Sequence, residues 1–211
     1  LTEKLLELGH KVTVVDTQWF GNYLKPNKKL KMIKSDIRNS DKIPLKGVNT
    51  IVHLANIAND PSVDLKPQLS WEVNVLATQT LIQRAIKNKV KHFLFASSGS
   101  VYGIKKEKKV TEKLSLIPIS TYNKTKMIAE RIIKSYEKKI KFHCIRPATV
   151  CGYSKRMRLD VTVNMFAYQA LTKRVIKVFG GSQIRPNIHI QDLINIYLHF
   201  INNPNIKSGC Y

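Results

Sequence analysis

Ser97-Ser98-Gly99-Ser100-Val101-Tyr102-Gly103, followed by Tyr122-Asn123-Lys124-Thr125-Lys126, is the stretch on which the reading of this sequence turns. The first segment comes straight after Lys91 to Ala96, an apolar, aromatic-rich run that reads as a buried strand, and its small residues break that strand. The second lies in a helical pattern over 121–138. Tyr122 and Lys126 are four residues apart, so on a helix they share a face. A Tyr-x-x-x-Lys spacing by itself is common on surface helices. Joined to a serine loop at the end of the preceding strand, it carries chemistry. A nearby ammonium would lower the phenol pKa from about 10. The phenolate could then take a proton from a substrate hydroxyl, with Ser98 aligning the same oxygen. Tyr102 has no Lys four residues on and reads as structural.

Working outward, strands alternate with helices. Leu1, Leu5 and Leu8 lie at helical spacing and end at Gly9, a helix-terminating residue. Lys11 to Val15 is a β-branched run closing at Asp16. Short strands are predicted over 31–34 and 50–55, a long helix over 68–88, and a further strand over 141–145 before Arg146-Pro147. This alternation predicts an α/β fold, a Rossmann-like doubly wound parallel sheet covered on both faces. From Cys151 the character changes. A helix near 161–172 leads to a strand-like run, Val175 to Phe179, then Gly180-Gly181, a strand over 187–190 and a helix over 191–201. The expected division is residues 1–150 as the sheet domain and 151–211 as the start of a smaller, partly missing substrate lobe. The sequence opens inside a helix, and the reading is that a first strand and glycine-rich loop precede Leu1.

Composition bounds the function. The formal net charge is +22, and 28 of the 36 basic residues are Lys. A basic balance can mark a nucleic-acid binder, but these lysines are scattered. The one dense run, Lys105-Lys106-Glu107-Lys108-Lys109, reads as a solvated loop. The Lys, Ile and Asn richness is what an AT-rich genome produces, so an RNA-binding role is the weaker reading. A positive field also attracts phosphorylated ligands. No apolar run reaches membrane-spanning length. Cys144, Cys151 and Cys210 are odd in number and spaced for neither zinc nor a disulfide framework, so no metal is expected and a reduced, cytoplasmic protein is the natural reading.

In an open parallel sheet, ligands bind beyond the carboxyl ends of the strands. Asp16, at such an end, could accept both ribose hydroxyls of an adenosine and would repel a 2′-phosphate, which favours NAD over NADP. The phosphate-cradling glycines would lie about 20 residues upstream. Asp36 could bond the adenine amine, with Ile37 beside it. Leu54 and Ala55 could pack against the dinucleotide. Asn74, unfavourable in mid-helix, points to a buried hydrogen-bonding role. His53 reads as a packed strand histidine. A bound nicotinamide ring would add positive charge beside Tyr122.

Along nearly its whole length the sequence resembles the extended short-chain dehydrogenases, the NAD-dependent epimerase/dehydratase family. The resemblance rests on Val14-Val15-Asp16, Ser35-Asp36-Ile37, Ile51 to Ala55, Asn74-Val75, Ser97 to Gly103, Tyr122 with Lys126, Arg146-Pro147, and Arg185 to Leu193. It implies a catalytic trio of Ser98, Tyr122 and Lys126, with Tyr122 and Lys126 also at the nicotinamide ribose. It implies a nucleotide-sugar substrate met by Ser98, Ser100, Asn164 and Arg185, with Arg158 a further candidate, and a homodimer. Asn56 stands where the family usually has Ala, and Cys151-Gly152-Tyr153 where Tyr-Gly-Pro is common. Gly99 and Ser100 stand where the sugar 4,6-dehydratases have an Asp-Glu pair, which argues against that elimination. The implied reaction is epimerisation through a 4-keto sugar, with dehydrogenase, ketoreductase or decarboxylase chemistry as the alternative.

Overall fold

The computed structural model describes residues 1–211. Helix α1 (Thr2–Glu7) turns at Gly9, whose positive φ of 88° releases the chain into β1 (Val12–Asp16). Then come β2 (Leu30–Lys34), β3 (Thr50–His53), α2 (Asp60–Leu65), α3 (Pro67–Trp71), a π-helical turn over Glu72–Leu76, α4 (Ala77–Lys87) and β4 (His92–Ala96). They are followed by α5 (Thr121–Ser135), β5 (Lys141–Ile145), β6 (Thr149–Cys151), α6 (Thr162–Lys173), β7 (Asn187–His189), α7 (Ile190–Asn202) and β8 (Gly209–Cys210).

Every strand pairing is parallel. Strands β3, β4, β5 and β8 form one sheet in that order, β1 pairs β2, and β6 pairs β7. Alternation along the central strands sends side chains to two cores. Phe93, Phe95, Phe142 and Cys144 pack with Leu81, Ile82 and Ala85 of α4 and with Ala129 and Ile133 of α5. Leu94 and Ile145 point the other way, onto Leu193, Tyr197 and Phe200 of α7. Helices thus cover both faces of a parallel sheet, the doubly wound arrangement expected. No helix is long and apolar enough to cross a membrane.

Two expectations need correction. The run Val175 to Phe179 is not a strand. Its β-branched composition suits a pleated surface, but no neighbouring strand pairs with it, and Val175, Ile176, Val178 and Phe179 are all exposed. The helix predicted over 68–88 is helical without a break from Pro67 to Lys87, but carries the π turn at Glu72–Leu76, with Asn74 at its middle. Such a turn inserts an extra residue and frequently accompanies a functional site.

Candidate active site

The serine loop and the Tyr-Lys helix meet at the carboxyl end of β4. Ser98 caps a 3-10 turn over Gly99–Tyr102, its hydroxyl accepting the Ser100 N–H at 3.2 Å. The turn lies against the chain leaving β5, where the Gly99 N–H donates to Pro147 O at 2.9 Å. It ends at Gly103 with φ 71°, where a Cβ would sit 2.1 Å from the Ile117 carbonyl oxygen, so only glycine fits. Ser120 starts α5 by accepting the Asn123 N–H at 3.2 Å, which sets Tyr122 and Lys126 in its first two turns. A hydroxyl relay ties the two segments together. Ser98 Oγ is 2.7 Å from Ser100 Oγ, and the Ser100 hydroxyl is 2.5 Å from Asn123 Oδ1. An amide oxygen only accepts, so Ser100 donates to Asn123 and Ser98 donates to Ser100.

Lys126 is buried beneath the loop. Its ammonium donates to Ala96 O at 2.7 Å and lies 4.9 Å from the Phe95 ring centroid and 5.8 Å from that of Tyr122. Burial lowers its pKa to about 7, against the raising influence of Glu130 and Cys144. Burial pushes the Tyr122 phenol up to about 12, with the Arg158 guanidinium pulling it down, Asp60 pushing it up and a Ser98 hydrogen bond pulling it down. The phenol is expected to be lowered by the ammonium together with a positive nicotinamide ring, and with the protein's own groups alone it stays high. One N–H of Lys126 is donated to Ala96 O, and desolvation of the phenolate outweighs the nearby positive charge. The cation that acts on Tyr122 here is Arg158, which is itself held by Asp160 at 2.5 and 2.9 Å.

The remaining candidates divide. Asp16 is exposed at the end of β1, with one oxygen accepting the Gln18 N–H at 2.5 Å and the other without a protein partner. Asp36 is engaged by Arg38, whose Nε and Nη2 donate to its two oxygens at 3.1 and 3.0 Å. Arg38 also reaches Glu72 at 2.8 Å. That ion pair holds the Asp36 carboxyl below its ordinary pKa. Ile37 is half-buried against the first core. Leu54 is 46% exposed although it directly follows a core strand, and Ala55 is exposed beside it.

Asn74 is buried, and both its amide protons are used, on Ile57 O at 3.1 Å and Thr125 Oγ1 at 3.1 Å. Its oxygen accepts the Ile57 N–H at 2.7 Å. It fixes the loop after β3 to α5 and acts through them. Asn164 is similarly occupied, accepting from Gly152 N at 3.0 Å and donating to Arg158 O at 2.9 Å, so it shapes the 152–158 segment. Arg185 lies on an exposed segment two residues before β7 and has no ion-pair partner. His53 is buried, 2.8 Å from Thr78 Oγ1, with burial lowering its pKa to about 3, as befits a packed histidine.

Sequence reading missed the buried pair behind the trio. Arg146 donates through Nε and Nη2 to Glu130 at 2.9 and 2.6 Å, and through Nη1 to the Tyr102 hydroxyl at 2.8 Å. Glu130 stands one turn beyond Lys126 on the buried face of α5. Its spacing from Tyr122 and Lys126 was the available signal.

The strand ends fit a dinucleotide. Exposed Leu54 and Ala55 offer an apolar platform at the end of β3. Asn56 Oδ1 and Ser97 Oγ are buried and without a hydrogen-bond partner, at the ends of β3 and β4 respectively. Orphaned polar atoms beside bare apolar surface, at the carboxyl ends of parallel strands, are what a bound cofactor would satisfy. Asp16, Leu54 and Ala55 lie at these strand ends, with Tyr122 and Lys126 on the neighbouring helix α5.

Comparison with known proteins agrees. The family model described as NAD dependent epimerase/dehydratase family matches residues 1–209. A putative UDP-glucose 4-epimerase of Methanocaldococcus jannaschii is 28% identical over 210 residues, covering 96% of this chain and 69% of that protein. A UDP-glucose epimerase of Bacillus subtilis, YtcB, described as uncharacterized, is 30% identical over 193 residues, covering 87% of this chain but only 58% of the relative. Among solved structures, a UDP-glucuronic acid 4-epimerase from Bacillus cereus, in complex with NAD and a fluorinated UDP-glucuronic acid, superposes with a TM-score of 0.83. It is 26% identical, and the match covers 99% of this chain and 71% of that one. Related proteins include decarboxylases as well as epimerases. The match over residues 1–209, with the Tyr122–Lys126 helix set against the Ser98 loop in a doubly wound sheet, places this chain in the NAD-dependent epimerase/dehydratase family.

Proposed function

We propose that this protein is an NAD-dependent nucleotide-sugar epimerase acting through a 4-keto sugar. The observation that carries the reading is the convergence of Ser98, Tyr122 and Lys126 at the end of β4, beside strand ends with unsatisfied polar atoms. NAD, when bound, supplies the hydride acceptor and donor. Tyr122 takes the proton of the sugar hydroxyl and later returns it. Ser98 holds the same oxygen. To do so its hydroxyl turns from Ser100 toward the substrate, and the Ser100–Asn123 bond keeps the loop in place meanwhile. Arg158 and a positive nicotinamide ring bring the phenol down from its high resting pKa. Residues 1–150 hold the cofactor, and 151–211 begin the substrate lobe. Gly99 and Ser100 offer no carboxylic acid, so an elimination of the 4,6-dehydratase kind lacks its proton donor.

The test is product analysis with UDP-, dTDP-, GDP- and CDP-sugars. Inversion at C4 without accumulating NADH is the expected result. Stoichiometric NADH release would replace epimerisation with net oxidation, and turnover of none of these sugars would remove the reading.

Arg185 supports the nucleotide-sugar assignment, because its guanidinium has no protein carboxylate and its fork suits phosphate oxygens. Arg185→Ala is expected to weaken nucleotide-sugar binding by about 10- to 100-fold and to leave NAD affinity nearly unchanged, as measured by calorimetric titration. An unchanged sugar-nucleotide affinity would put the diphosphate elsewhere.

A further inference from the structure

Two of the three cysteines are brought together by the sheet. Strand β8 is only Gly209–Cys210, and its register with β5 sets Cys210 directly opposite Cys144. Register partners on adjacent parallel strands project to the same face, and both side chains join the core beneath α4 and α5. Neighbouring strands run about 4.8 Å apart, within the roughly 4.4–6.8 Å Cα separation that a disulfide spans. The backbone on either side is fixed. Tyr211 N donates to Cys144 O at 2.9 Å, and Arg146 N donates to Tyr211 O at 2.7 Å. The two thiols are therefore held as neighbours.

They are not equivalent. Cys144 is buried, and its thiol pKa is raised by burial. Cys210 is half-exposed, and its thiol pKa is lowered, chiefly by the hydrogen bond from Cys144. The Cys210 sulfur also lies 3.7 Å from Glu130 Oε2, as donor to that carboxylate.

We propose that Cys144 and Cys210 are a disulfide-forming pair that reacts with hydroperoxides, with Cys210 as the attacking thiol and Cys144 as the resolving thiol. The Cys210 thiolate attacks the peroxide. An S–O bond forms, the O–O bond breaks, and the departing alkoxide or hydroxide takes up the proton given up by Cys210. The Cys144 sulfur then attacks the sulfenic sulfur. The S–S bond forms, the S–O bond breaks, and hydroxide leaves as water with the Cys144 proton. Two thiols are oxidised by two electrons and one peroxide is reduced. The product staples β8 and the Tyr211 contact to the central sheet, and Glu130 loses its thiol donor. Cys151, whose sulfur faces Ile188 O at 3.5 Å on a different sheet, takes no part.

The experiment treats the folded chain with hydrogen peroxide, counts free thiols by alkylation, and maps linked peptides under non-reducing conditions. Free thiols are expected to fall from three to one, with a mass loss of about 2 Da from the oxidised pair and a Cys144–Cys210 linked peptide. Cys151→Ser should form the same link, and Cys210→Ser should form none within the chain. A link through Cys151, dimers joined between chains, or a Cys210 that stays alkylatable or stops at the sulfenic acid would each overturn the proposal. None of these readouts depends on epimerase activity, so failure here leaves the proposed function standing.

Discussion

Tyr122→Phe should lower turnover of the nucleotide sugar by about 10²–10⁴-fold, the usual contribution of a positioned proton-transfer group, while NAD still binds. The variant removes one oxygen. It leaves the ring that packs by Ile57, Val63 and Val73, so the fold and the strand-end platform at Leu54 and Ala55 are untouched. The phenol's resting pKa of about 12 sharpens the expectation. Tyr122 is protonated in the free protein, because burial costs the phenolate more than Arg158 returns, and it becomes a base only when positive charge arrives with the cofactor. Turnover of wild type should therefore rise with pH as the phenol of the complex deprotonates, and Tyr122→Phe should abolish that limb of the profile. Steady-state rates across pH, with NAD binding followed by fluorescence, give both readouts. Near-normal turnover in the variant would remove Tyr122 as the base. Loss of NAD binding would make its main role that of holding the cofactor.

The serine loop and the Tyr122–Lys126 helix were legible in the sequence because their signals are local. A spacing of four on a helix and small residues at a strand end need no tertiary information, and both held. The parallel sheet was legible because buried central strands read as apolar runs, as in Phe93-Leu94-Phe95. What failed depended on partners far along the chain. Val175 to Phe179 has strand composition, but strands exist only in ladders, and no neighbour is there. Strand β8 has two residues and no pattern at all, yet its register brings Cys210 to Cys144. Asn74 was found through its low helix propensity, but its partners, Ile57 and Thr125, lie 17 and 51 residues away. The high resting pKa of Tyr122 was not legible for a related reason. Charge proximity can be guessed from spacing, whereas desolvation depends on everything packed around the group.

The Glu130–Arg146 pair is the most consequential of the features that sequence reading missed. Its side chains are only 3% and 7% exposed. Two parallel N–H···O bonds join them, and the third arm of the guanidinium holds Tyr102, whose ring centroid lies 5.0 Å from Arg146 Cζ. One residue thus ties α5, the chain after β5 and the serine loop together, immediately behind Lys126. Arg146→Met keeps much of the volume but leaves the Glu130 carboxylate buried without its partner, and removing one member of a buried pair costs about 3–5 kcal/mol. Burial this deep leaves little solvent to screen the loss. Chemical denaturation should show a fall of that size, and the serine loop should loosen with it, which hydrogen exchange at Val101 and Tyr102 would report. The double variant Glu130→Leu/Arg146→Met separates charge from packing. With no buried charge left unpaired, it should recover most of the stability lost by Arg146→Met. If Arg146→Met costs under about 1 kcal/mol, the pair is not what holds the loop to the helix. If the double variant is as unstable as the single one, the loss lies in packing around Tyr102, and the carboxylate of Glu130 is not its cause.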